Sequence, residues 1–110
     1  MKLTVLAAGA WGTALALAFA PRHAVTLWAR EPQLVADLKN ERENRRFLPG
    51  FAFPDSLAVE GDFVRAVEAA ELVVLATPLA GLRSTLKQLR GARPVLPPLL
   101  WACRGLEAGG

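Results

Sequence analysis

The sequence predicts an α/β domain built on a doubly wound parallel sheet, and three observations predict it. Leu3-Thr4-Val5-Leu6 and Leu72-Val73-Val74-Leu75-Ala76 are unbroken apolar or β-branched runs, as expected of strands covered on both faces. Stretches with apolar residues at helical spacing separate such runs, so strand and helix alternate as in βαβ units. The first run breaks at Gly9 and Gly12 and resumes at once as the alanine-rich helical pattern Thr13-Ala14-Leu15-Ala16-Leu17-Ala18. A length of 110 residues fits one such domain with a modest core.

The first element is therefore a strand over residues 3–6, followed by a tight turn and a helix that Pro21 stops. A turn of this shape presents backbone N–H groups at a helix N-terminus, where the positive end of the helix dipole holds anions such as a pyrophosphate. The three places of the G-x-G-x-x-G fingerprint fall on Ala7, Gly9 and Gly12. Gly9 would let the backbone approach phosphates, Gly12 would let helix and strand pack closely, and Ala7 is expected to keep φ negative. The same two glycines also suit a plain strand-to-helix turn without a ligand.

Ala24-Val25-Thr26-Leu27-Trp28-Ala29 is the second strand and completes a Rossmann-like unit of about 30 residues. In such a unit an acidic residue about 20 positions beyond the glycines binds the ribose 2′-OH of NAD, whereas an arginine suits the 2′-phosphate of NADP. Arg30 comes first here and Glu31 follows, which favours NADP or use of both dinucleotides; the alternative is a solvated turn. Pro32 at the first helical position starts a helix expected to reach Glu41, with Leu34, Val35 and Leu38 inward. The charged residues 39–46 read as a solvated stretch.

Residues 47–54 combine three phenylalanines, two prolines and a glycine, and read as an ordered loop plugging an edge of the core. Phe47 alternatively borders a cofactor pocket. Leu57-Ala58-Val59 is a short strand; Asp62 is expected to cap a helix through Ala70 that turns Phe63, Val64 and Val67 inward. The strand over residues 72–76 ends at Thr77-Pro78, which opens onto the crevice. A helix over residues 79–89 places Leu82, Leu86 and Leu89 on one face and is ended by Gly91. Arg83 on another face reads as solvated, with a phosphate contact as the alternative. Leu99-Leu100-Trp101-Ala102-Cys103 is the last strand, with Cys103 buried, and its carboxyl end delivers Arg104 toward an anionic group of a cofactor or substrate.

Composition narrows the function classes. The net charge of +3 is spread along the chain, and the aromatics are not interleaved with basic residues, which argues against nucleic acid as a partner. No apolar run approaches the roughly 18 residues of a membrane span, and the N-terminus reads as a strand rather than a signal peptide. The single cysteine suits a reducing compartment, so a cytoplasmic location is expected. A hydrophobic content of 53% is high for a small domain, so part of the surface is expected to meet a partner, with a homo-oligomer as one form. His23, the only histidine, precedes the second strand at the end opposite the crevice and reads as a turn residue, and no metal site is expected.

Four pieces in order resemble the N-terminal cofactor domain of NAD(P)-dependent glycerol-3-phosphate dehydrogenase: Ala8-Gly9-Ala10-Trp11-Gly12-Thr13-Ala14-Leu15-Ala16, Leu27-Trp28-Ala29-Arg30, Asn44-Arg45-Arg46-Phe47-Leu48-Pro49-Gly50, and Leu100-Trp101-Ala102-Cys103-Arg104-Gly105-Leu106-Glu107. The resemblance covers nearly the whole chain. It implies that residues 1–110 are an NAD(P)-binding Rossmann domain whose helical substrate domain lies outside this chain. It implies that Gly9, Ala10, Trp11, Gly12, Arg30, Phe47 and Arg104 bind NADP or NAD, and that Arg104 also touches a small phosphorylated substrate. The implied reaction is hydride transfer linking glycerol 3-phosphate and dihydroxyacetone phosphate. The family's general base is a lysine in the helical domain, so no residue of this chain is assigned as catalytic. The chain departs from the family's usual glycine at position 7, tyrosine at 47 and lysine at 104. Competing readings are a non-catalytic NADP(H)-binding module or degenerate paralogue, the cofactor half of another 3-hydroxy-acid dehydrogenase, and a scaffold protein.

Overall fold

The structure, a computed structural model, describes residues 1–102, with Leu79 described by its backbone alone. Strands β1 (Lys2–Leu6), β2 (Ala24–Trp28), β5 (Ala58–Glu60), β6 (Leu72–Leu75) and β7 (Leu99–Trp101) form one sheet. Helices α1 (Ala10–Phe19), α2 (Pro32–Glu41), α3 (Phe63–Glu68) and α4 (Leu79–Ala92) connect them, and a small hairpin of β3 (Glu43–Asn44) and β4 (Leu48–Ala52) follows α2. The order across the sheet is β5-β2-β1-β6-β7 with every pair parallel. The chain winds outward from β1 through β2 to β5, then crosses back to β6 on the other side of β1. That reversal makes the doubly wound sheet expected from the sequence and opens a crevice beyond the carboxyl ends of β1 and β6.

The two central strands bury successive residues because both faces are covered: Leu3, Thr4, Val5 and Leu6 of β1 and Val73, Val74 and Leu75 of β6 are all buried. Strand alternation sorts them into two cores. Leu3, Val5 and Val74 pack with Ala16 of α1 and with Leu34, Val35 and Leu38 of α2. Leu6, Val73 and Leu75 pack on the opposite face with Ala66 and Val67 of α3 and with Leu89 of α4. Thr4, the one polar side chain of β1's buried run, donates its hydroxyl to the carbonyl of Ala66.

Three expectations are corrected. Residues 47–54 are not a plugging loop: residues 48–52 pair antiparallel with β3, and only Phe53, 5% exposed, enters the core. Among the described residues the hairpin has no further strand beside it, so Pro49 removes no ladder bond from this sheet, and Gly50 supplies the φ of +89° at which the strand turns. Val64 faces solvent at 53% exposure, because the stripe that starts at Phe63 continues through Ala66 and Val67. Helix α4 runs through Gly91 to Ala92, and Arg93 then donates to the carbonyls of Val67 (2.8 Å) and Ala70 (3.1 Å), tying α4's end to that of α3. Asp62 caps α3 as expected by accepting from the Arg65 amide at 3.1 Å. Strand β7 ends at Trp101; Cys103 lies outside the described residues.

Candidate functional site

The site is built where β1 leaves the sheet. The Ala7 amide donates to the Trp28 carbonyl at 3.1 Å, extending the β1–β2 ladder by one bond. The backbone then swings to φ +88° at Ala7, contrary to the negative φ expected from its methyl group. With this swing the Ala7 carbonyl lies close against α1: an added Cβ at Gly12 would stand 1.9 Å from its oxygen, so turn and helix pack backbone to backbone. Gly9 is the N-cap of α1, extended at φ −73° and ψ −171°, and contributes no side-chain cap. First-turn N–H groups of a helix have no intrahelical acceptor and carry the positive end of its dipole.

The two glycines thus have different local reasons. Gly12 is demanded by the fold itself. A Cβ on Gly9 would meet none of the described residues within 4 Å, so packing among the described residues does not require glycine there. What glycine leaves clear at position 9 is the space in front of a helix N-terminus, the place a phosphate group takes in this architecture.

That space belongs to a cleft of about 480 Å³. Its floor is Ala7, Ala8 and Gly9; one wall comes from the end of β2, with Ala29, Arg30 and Glu31; Phe47 of the hairpin and Thr77, Gly81 and Thr85 from the β6–α4 side complete it. Thr85 donates its hydroxyl to the Gly81 carbonyl at 3.0 Å, and a Cβ at Gly81 would crowd the Thr77 methyl at 2.8 Å, so α4 approaches the crevice closely. Arg30 is exposed at the rim and makes no ion pair among the described residues.

Of the residues singled out from the sequence, the cleft brings together Gly9, Arg30 and Phe47. Gly12 lies beneath it as the helix seat. Ala10 and Trp11 sit on the exposed first turn of α1 beside the cleft, outside its lining, and the Trp11 indole donates to the Ala102 carbonyl. Ala102 is in turn held to β6 through its amide and the Leu75 carbonyl at 2.9 Å. Arg104 lies outside the described residues. Arg83 lines a separate groove with Lys87 and Arg90, as a solvated face would. His23 stays in the turn before β2, at the far end of the sheet.

Asn44 corrects the solvated reading of residues 39–46. It is fully buried, and its amide donates to the Ala8 carbonyl at 2.9 Å and to the Thr13 hydroxyl at 2.8 Å, while its carbonyl accepts from the Phe47 amide at 3.2 Å. One side chain therefore joins the glycine turn, α1 and the hairpin that carries Phe47. The signal for it was a neutral amide inside a run of charges. Arg42 belongs to the same correction: left-handed at φ 52°, it donates to the carbonyls of Pro54 (2.9 Å) and Leu57 (2.6 Å).

Comparison with known proteins agrees with this geometry. Residues 2–110 match the family described as NAD-dependent glycerol-3-phosphate dehydrogenase N-terminus. The glycerol-3-phosphate dehydrogenase [NAD(P)+] of Thiobacillus denitrificans is 57% identical over 109 residues, and that of Dechloromonas aromatica 54%; each match covers 99% of this chain and 33% of the relative. The chain thus spans about a third of the length of the curated relatives it matches. Among solved structures, glycerol-3-phosphate dehydrogenase from Coxiella burnetii superposes with a TM-score of 0.87 at 27% identity, covering 93% of this chain and 32% of that one. The Saccharomyces cerevisiae enzyme gives 0.82 at 25% identity, covering 94% and 33%. With its doubly wound sheet, its glycine turn and a match over residues 2–110, the chain belongs to the family of NAD-dependent glycerol-3-phosphate dehydrogenase N-termini.

Proposed function

We propose that this chain is the dinucleotide-binding part of an NAD(P)-dependent dehydrogenase that interconverts glycerol 3-phosphate and dihydroxyacetone phosphate. The observation that carries the reading is the clear space in front of Gly9: a glycine that packing among the described residues does not need stands at the point where a pyrophosphate would rest on α1. The bound dinucleotide would supply the hydride chemistry. The protein's share is to bind, orient and exclude water. Gly9, Ala10, Trp11 and Gly12 form the phosphate turn, Arg30 meets the adenosine ribose, Phe47 walls the crevice, and Arg104 carries positive charge to cofactor and phosphorylated substrate. Residues 1–110 act as the cofactor domain, and the proton-handling group belongs to another part of the enzyme.

A cytoplasmic setting goes with this reading, supported by the single cysteine; among the described residues no helix is long and apolar enough to cross a membrane. Self-association is supported by Leu99, Leu100 and Trp101 of β7, which are exposed at 38%, 44% and 44%.

Calorimetric titration with NADH and NADPH tests the proposal. Wild-type protein should bind, and Gly9→Ala should lose at least tenfold in affinity for both while melting within a few degrees of wild type. Absence of binding by wild type at millimolar dinucleotide, or full binding by Gly9→Ala, would overturn it.

A further inference from the structure

One ion pair stands where the cleft meets the hairpin: Glu31 lines the cleft, and Arg46 lies just outside it, among residues of α2 and the hairpin. Glu31, beside Arg30 at the end of β2, is the N-cap residue of α2 but does not cap it with its side chain. Its carboxylate instead accepts from Arg46 Nη1 at 2.8 Å across the gap to the hairpin turn. The Arg46 guanidinium lies 5.0 Å from the centroid of the Phe47 ring, so it is braced on an aromatic wall of the cleft as well as paired with a carboxylate at its rim. Arg45 differs: it pairs with Glu41 at 3.1 Å and Glu43 at 3.7 Å, while among the described residues the ion pair to Glu31 and the cation–π contact with Phe47 belong to Arg46.

We infer that the Glu31–Arg46 pair selects between the two dinucleotides, with Arg46 as a second cation for the 2′-phosphate of NADPH and Glu31 as the acceptor for the ribose hydroxyls of NADH. The inference rests on the dinucleotide reading given above and names the residues that set its specificity. The end of the second strand is where this architecture places the adenosine ribose. A carboxylate there accepts from hydroxyls and repels a phosphate, and a guanidinium does the reverse. Here the two are joined, and both are about half exposed, at 57% and 51%. Exposed pairs of this kind contribute little to stability, so opening one costs little. A phosphate monoester carries a charge of about −1.5 to −2 near neutral pH, more than one carboxylate, and offers a guanidinium two oxygens at once. With NADPH, Arg46 turns from Glu31 to the phosphate and joins Arg30; with NADH, Glu31 receives the ribose hydroxyls and Arg46 stays on Phe47.

The test measures dissociation constants for NADPH and NADH on the 110-residue protein and on Arg46→Ala, Arg46→Lys, Glu31→Gln and Arg45→Ala. Arg46→Ala should weaken NADPH about tenfold and change NADH by less than about twofold. Arg46→Lys should restore only part of the loss, because an ammonium cannot fork across two oxygens. Glu31→Gln should weaken NADH and strengthen NADPH, each severalfold, and Arg45→Ala should change neither. A merely structural role for Arg46, through the seating of Phe47, would move both dinucleotides together and leave their ratio unchanged; that result overturns the inference, as does no effect of Arg46→Ala. If wild type binds both dinucleotides and the ratio stays fixed, only this inference fails. If wild type binds neither, the dinucleotide reading fails and carries this one with it.

Discussion

Ala7 holds the turn at φ +88° with a methyl group, a conformation that costs an L-residue about 1–2 kcal/mol. Its sequence position suggested a relaxed backbone, but the turn here packs its Ala7 carbonyl so close to α1 that a Cβ at Gly12 would not fit, and the positive φ goes with that tertiary packing rather than with local preference. Ala7→Gly should therefore stabilise the protein by about 1 kcal/mol after the entropic cost of glycine, read as a higher urea midpoint at unchanged slope. Asn44 makes the opposite case. Replacement by Ala strands the Ala8 carbonyl and the Thr13 hydroxyl in a buried site, releases the part-buried Phe47 amide, and should cost about 2–3 kcal/mol in the same measurement. Its role was illegible because a charge run reads as solvent-facing, and only tertiary structure shows that β3 tucks one uncharged amide under the turn.

At the scale of elements, the strands and helices of the sheet were legible, since buried parallel strands are continuous apolar runs and Pro21, Pro32 and Asp62 mark helix limits. The hairpin was not. Pro49 and Gly50 spoil a strand pattern, and only pairing with the two residues of β3 makes residues 48–52 extended. The junction of β1 and α1 gives a sharper test, because its two glycines answer to different demands. Gly12→Ala drives a Cβ into backbone that no rotamer can relieve, so α1 must lift from the sheet. A loss of about 3 kcal/mol or more is expected, with a matching fall in melting temperature. Gly9→Ala, by contrast, should melt close to wild type. Equal destabilisation by the two would mean that position 9 is as tightly packed as position 12 and that its glycine is structural.

At the scale of the whole molecule, the doubly wound topology follows from strand order alone, and it decides where ligands go before any side chain is considered. That is why the place of Gly9 and Arg30 at the cleft was legible: both lie just past the carboxyl ends of predicted strands. Thr77, Gly81 and Thr85 were harder to foresee, because α4's close approach to β6 brings them to the cleft. A cleft assembled from β1, β2, the hairpin and α4 joins parts that are distant in sequence, so a ligand bound there links elements covering both faces of the sheet. Dinucleotide at 100 times its dissociation constant should stabilise the native state by about 2.7 kcal/mol. For a domain of this size that is a rise of roughly 10–20 °C in melting temperature, measurable by scanning fluorimetry. The rise with NADPH should shrink in high salt more than the rise with NADH, since Arg30 and Arg46 are exposed and their attraction for a phosphate is screened, whereas hydroxyl contacts are not. An equal salt response for the two cofactors would place the 2′-phosphate away from this basic rim and move the selecting residues elsewhere in the cleft.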